Sequence, residues 1–174
     1  PFKMEPGFVS LFNGKDLSGW EFRDRKTFKP TDVFDGKKST QDGRYVAIND
    51  RLVVTTPPEG RRVQKIWTTK DFSGDFIFKV EFRATPNADS GIFIRRPQLQ
   101  CRDYLLAGPW KELKMYKPQE WNEIVVTVRG GIARCTCNGE VLDDNFKVPL
   151  SGPIGFEGDM GQMEYRRIRL KKIK

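Results

Sequence analysis

The chain has no histidine among its 174 residues. Any mechanism that leans on imidazole is therefore excluded. It also has no run approaching the roughly 20 apolar residues of a membrane helix, so no helical membrane insertion is expected. No signal peptide is present, and a start at Pro1 fits a leader already removed. Helical periodicity is missing from every ten-residue stretch outside Trp110 to Tyr116. Cysteine is scarce and odd in number, with Cys101, Cys135 and Cys137. The last two, at i and i+2, point to the same side of a strand, and their spacing is not that of a zinc knuckle. Small buried reduced thiols are the expectation, with a disulfide from Cys101 to one of the pair as its rival.

What is present suits many short strands. Hydrophobic residues make up 37% and aromatics 12%, while 16 Gly and 11 Pro supply tight turns. The length fits one domain, residues 1–174, around one core. The net charge of +8 comes from 31 Lys and Arg against 23 Asp and Glu, and it is scattered. Its densest stretch, Arg166 to Lys174, alternates Ile168 and Leu170 with Arg167, Arg169 and Lys171. That reads as a strand with one wet face. With no nucleic-acid motif beside it, no nucleic-acid partner is expected.

Along the chain, FVSLF before Asn13-Gly14 reads as a short strand and a reversal, and 23–43 as a long surface loop. A hairpin follows from Tyr45 to Thr56 about Asn49-Asp50, closed by Pro57-Pro58. The clearest strand is Asp75 to Arg83, where Phe76, Phe78, Val80 and Phe82 alternate with Ile77, Lys79, Glu81 and Arg83. Ser90 to Arg96 continues the pattern. Glu123 to Arg129 and Ala133 to Cys137 pair about Gly130-Gly131, and Asn138-Gly139 turns into Val141-Leu142. The fold expected is all-β, an antiparallel meander closed into a two-sheet β-sandwich or jelly roll.

Six phrases in order, GFVSLFNGKDLSGW, IWTTKDFSGDFIFKVEFR, DSGIFIRR, EWNEIVVTVRG, CNGEVLDD and GPIGFEGDMGQMEYRRIRLKKI, resemble the family of 3-keto-disaccharide hydrolase domains. The likeness spans Phe8 to Ile173. It implies a concanavalin A-like fold, a secreted or periplasmic bacterial setting, and a carbohydrate ligand on the concave face of one sheet. Relatives often carry a histidine in the strand before the Asn-Gly turn and another after GPIG. Here Cys135 and Asp159 stand at those places.

A 3-keto-glycoside has an acidified C2 hydrogen, so a base, a group to steady the enolate and an acid for the leaving group suffice for cleavage by elimination. Glu81 and Lys79 lie on the non-core face of their strand, and Arg95 falls on the corresponding face of the next. The expectation is a cross-strand Glu81–Arg95 pair, with Glu81 or Glu157 as base and Arg95 as enolate stabiliser, against an ordinary surface ion pair. Glu157 opposes Phe156 in parity, so it faces away from the core and forms an acidic cluster with Asp159. A calcium-ligating loop at these two residues is the alternative; no metal or other cofactor is otherwise expected. The resemblance makes Gln100 and Asp103, in LQCRD, candidates to bind sugar, and Lys79 and Asp159 are expected to contact it beside the catalytic residues. Trp110, in the irregular segment with Tyr104 and Tyr116, is the expected stacking platform, while Trp20, Trp67 and Trp121 are read as core. Two classes stay open: an enzyme acting on 3-keto-glycosides or related modified sugars, and a non-catalytic carbohydrate-binding domain.

Overall fold

Period-two alternation becomes strand wherever one parity class is apolar, because successive side chains leave a strand on opposite faces. The computed structural model describes residues 1–55, 64–103 and 108–174. Within them run β1 (Val9–Ser10), β2 (Trp20–Arg23), β3 (Pro30–Val33), β4 (Tyr45–Ile48), β5 (Arg51–Val54), β6 (Ile66–Thr68) and β7 (Phe76–Ala84). They are followed by β8 (Asp89–Ile94), β9 (Gln98–Arg102), β10 (Asn122–Arg129), β11 (Ile132–Cys137), β12 (Glu140–Lys147), β13 (Ile154–Met160) and β14 (Met163–Lys172). A single turn of 3-10 helix covers Gly108–Glu112, where the sequence shows its one trace of helical spacing.

The strands form two antiparallel sheets. The eight-stranded sheet runs β12-β11-β10-β7-β14-β5-β4, with β1 paired to β14; the six-stranded sheet runs β3-β2-β6-β13-β8-β9. Phe76, Phe78, Val80 and Phe82 of β7 are fully buried between the sheets, each worth roughly 1.5–3 kcal/mol of transfer free energy. They meet Ile92, Ile94, Ile154 and Phe156 in one contiguous core. Phe156 stacks on Tyr165 at 4.2 Å and on Trp20 at 5.5 Å, which joins the two layers. Cys101, Cys135 and Cys137 are buried and all free. Burial pushes the Cys135 and Cys137 thiols up to about 12 and raises that of Cys101 as well.

Two readings of the sequence are corrected here. The stretch 23–43 contains an edge strand, β3, whose residues are all exposed and so leave no apolar parity. And β8 does not pair with β7: β7 lies between β10 and β14, whereas β8 crosses to the other sheet, between β13 and β9. The meander holds only for β10 to β12. Pro57-Pro58 and Tyr104 lie outside the described residues.

Candidate functional site

The outer face of the six-stranded sheet carries two rows of side chains set by register. Glu21 pairs with Trp67, Trp67 with Gly155, Gly155 with Phe93 and Phe93 with Gln98. Two residues along, Glu157 pairs with Gly91 and Gly91 with Gln100; continuing the β13–β6 register by one places Lys65 on the other side of Glu157. The two glycines let large neighbours lie flat. A Cβ at Gly155 would sit 2.5 Å from Trp67 Cε3, and one at Gly91 would sit 2.4 Å from Gln98 Nε2. The Trp67 ring therefore lies across Gly155 to meet Phe93, 5.3 Å between centroids, and the Gln98 amide crosses Gly91 and donates to Glu157 Oε1 at 2.9 Å.

A turn raises a wall over this floor. Asp24 Oδ1 accepts from the backbone N–H groups of Lys26 and Thr27, and Phe28 N–H donates to the Asp24 carbonyl. Phe28, at a φ of 60°, is thereby folded back edge-on to Trp67 at 4.9 Å. The Arg23 and Arg96 guanidinium groups lie 4.6 and 4.0 Å from the Phe28 centroid, and Lys65 Nζ lies 4.5 Å from that of Phe93. Together they bound a cavity of about 430 Å³ lined by Arg23, Asp24, Arg25, Phe28, Gln64, Lys65, Trp67, Arg96 and Glu157.

Glu157 is half-buried at its edge. Burial raises its carboxyl above the ordinary 4.5, Lys65 opposes that, and Asp159 and Asp89 add to it. This is a carboxylate disfavoured in its charged form, which strengthens it as a proton acceptor. Gln100 lies on the same face and donates to Asp89 Oδ1 at 3.2 Å. Asp159 is exposed at the end of β13, where the register shifts between Gly158 and Met160. Among the described residues, no group of three or more carboxylates or thiols is placed to hold a metal ion.

Of the expected residues Glu157 lines the cavity, Gln100 and Asp159 lie beyond its lining, and the others are taken elsewhere. Glu81 and Lys79 do lie off the core, but on the outer face of the opposite, eight-stranded sheet. Glu81 accepts from Arg166 at 2.9 Å and Arg167 at 2.8 Å, and Lys79 pairs with Glu5 at 3.0 Å. The Glu81–Arg95 pair does not exist, because β7 and β8 belong to different sheets. Arg95 follows the end of β8 at a φ of 54° and is fully buried. It donates to the carbonyls of Phe72 at 2.7 Å, Pro149 at 3.0 Å and Gly74. Asp103 is tied up by Tyr116 Oη at 2.6 Å and by the N–H groups of Gln119 and Asn87. Trp110 offers no free face: it is 2% exposed, packed on Phe82 and Tyr116, with Nε1 donating to the Gln100 carbonyl.

Trp20 is core, but Trp67 floors the cavity, and Trp121 stacks with Arg83 and Arg166 on the eight-stranded sheet. Sequence reasoning also missed Phe28, Lys65, Phe93, Arg96 and Gln98. Its one usable signal was glycine in a strand interior, Gly91 in DSGIF and Gly155 in PIGF, where something must approach closely. Another cavity, about 520 Å³, lies between the N-terminal segment and the β4–β5 turn. Its Arg51, Arg166 and Arg167 are neutralised by Glu164 and Glu81.

Residues 7–171 match the model of the 3-keto-alpha-glucoside-1,2-lyase-like domain. No curated protein sequence matches this chain significantly. Among solved structures, a putative glycosyl hydrolase from Parabacteroides distasonis superposes with a TM-score of 0.71 at 17% identity, over 97% of this chain and 94% of that one. The carbohydrate binding module CBM66 from Bacillus subtilis gives 0.54 at 7% identity, over 91% and 98%. The exoplasmic/lumenal domain of VIP36, in its Ca2+/Man3GlcNAc-bound form, gives 0.52 at 10%, over 97% and 89%. At these identities the likeness is one of fold, and that fold serves both hydrolases and binding modules.

Proposed function

Since the chain belongs to the 3-keto-alpha-glucoside-1,2-lyase-like domain family, we propose that it cleaves a 3-keto-glycoside held on the outer face of its six-stranded sheet, with Glu157 as the base. The observation that carries this reading is Glu157 itself: a half-buried carboxylate of raised pKa, aimed by Gln98, at the edge of a cavity floored by Trp67.

In the proposed reaction the C3 ketone acidifies the C2 hydrogen, and ionised Glu157 removes it. The electron pair moves into the enolate, whose oxygen Lys65, the cation whose charge acts on Glu157, would steady. Collapse of the enolate forms the C1–C2 double bond and breaks the C1–O bond. Water in the open cavity protonates the departing oxygen, and the carboxylic acid just formed gives its proton back to solvent, so the aglycone leaves as an alcohol with no net proton consumed. Water adds to the unsaturated keto-sugar later. No step uses imidazole. A secreted or periplasmic bacterial setting, where glycans are met, is part of the same proposal.

The test is to incubate the protein with methyl 3-keto-α-glucoside and follow methanol release, with Glu157→Gln beside the wild type. Release by the wild type and a fall of about 100-fold to 10,000-fold in the variant, with sugar binding retained, is the expected result. Binding by both proteins and release by neither would replace the enzyme with a carbohydrate-binding domain, the reading that the likeness to CBM66 favours.

A further inference from the structure

We propose that the ligand of this cavity carries an oxyanion, a carboxylate or a sulfate ester, gripped by Arg25 and Arg96; this rests on the reading of the cavity as a sugar site. The argument begins with charge balance. Four cations line the cavity, Arg23, Arg25, Lys65 and Arg96, against two acids, Asp24 and Glu157. Arg23 is already paired, with Glu21 at 2.8 Å and Asp71 at 3.3 Å. Asp24 spends an oxygen on the N–H groups of its own turn. Lys65 is the cation that acts on Glu157. Arg25 and Arg96 are left, and among the described residues neither has a carboxylate within 4 Å.

The second observation is how Arg96 is held. Its guanidinium and that of Arg23 converge on a single ring, Phe28, although like charges repel. The backbone is forced to put it there: Arg95 and Arg96 both have positive φ, 54° and 94°, which non-glycine residues seldom adopt. Arg95 maintains that turn by locking its side chain onto three carbonyls, and its N–H donates to the Pro153 carbonyl at 2.8 Å. Opposite it, Gly152 is indispensable, since a Cβ there would come within 2.9 Å of Arg95 Cα. A strained turn with its own anchor, presenting into a cavity a guanidinium that no carboxylate of the described residues neutralises, is the pattern of a specificity element. A planar fork of N–H donors suits a carboxylate or a sulfate bidentately and makes a weaker, single bond to a neutral hydroxymethyl group.

The experiment measures binding by titration calorimetry for three probes: methyl α-glucoside, methyl α-glucuronide and methyl α-glucoside 6-sulfate. The wild type should bind at least one anionic probe about ten-fold tighter than the neutral one, or better. That preference should shrink as salt rises. The two anionic arms separate carboxylate from sulfate. The double variant Arg25→Gln/Arg96→Gln, checked for an unchanged melting temperature, should lose the preference and bind anionic and neutral probes alike. If the neutral probe binds as tightly as both anions, or the preference survives in the double variant, this inference is wrong while the sugar site stands. If none of the three probes binds, this inference is wrong, and the sugar site is judged separately by methanol release from methyl 3-keto-α-glucoside.

Discussion

Gln98 reaches over the bare backbone of Gly91 and donates its side-chain amide to Glu157 Oε1 at 2.9 Å, linking β9 to β13 across β8. The carboxylate proposed as base is thus oriented by a residue two strands away, through a gap only glycine leaves open. Four predictions follow from this and from the placements around it.

Gly91→Ala should evict the Gln98 amide, because the new methyl group takes its place. The obstacle is a flexible side-chain end, so the fold should survive with little change in melting temperature. Gln98 lowers the Glu157 pKa, so the acid limb of the pH–rate profile should move upward, and turnover should fall about five- to ten-fold, the worth of one hydrogen bond. Gln98→Ala should copy both effects. An unchanged profile in both variants would show that the bond does not orient the base.

Glu157→Gln should stabilise the protein at neutral pH. Burial raises the folded-state pKa of Glu157 above 4.5, so the folded state binds the proton more tightly than the unfolded chain. The wild type therefore loses stability as pH rises from 4.5 through the raised value. The variant lacks that loss, so its melting temperature should exceed the wild type's at pH 7 and converge on it below pH 4.5. A lower melting temperature at pH 7 would mean that the ionised carboxylate is favoured where it stands.

Arg95→Met should destabilise the protein without a specific defect in chemistry. It removes a buried cation that satisfies three carbonyls, and stranding them should cost about 3 kcal/mol or more. Denaturant unfolding would show this. A variant of near-normal stability would mean that water replaces the guanidinium, and the anchoring of the turn would need another explanation.

Glu81→Gln should leave sugar turnover and binding unaltered, since Glu81 stands on the opposite sheet, between Arg166 and Arg167. The lost ion pairs are partly exposed and should cost about 1 kcal/mol. A large loss of turnover with normal folding would put the chemistry on the eight-stranded sheet.

Much of the fold was legible because it rests on local rules. The parity of Phe76, Phe78, Val80 and Phe82 names a buried face wherever the strand is placed, and Asn138-Gly139 makes a hairpin turn in any sheet. Glu157 was legible for the same reason: opposite parity to buried Phe156 sends it outward. Arg95 was not, because parity holds only inside a strand, and the positive φ that ends β8 turns its side chain into the interior.

By itself, then, the sequence determined which residues alternate, where the chain reverses, and that no imidazole takes part. Only the tertiary structure decided that β8 leaves β7 for β13, which separates Glu81 from Arg95 and sets Glu157 beside Gln98. A period-two pattern is satisfied equally by a hairpin and by a crossover to the opposite sheet. The choice between them is made by the packing of strands some sixty residues apart, such as Phe156 against Ile92, and no local spacing encodes that pairing.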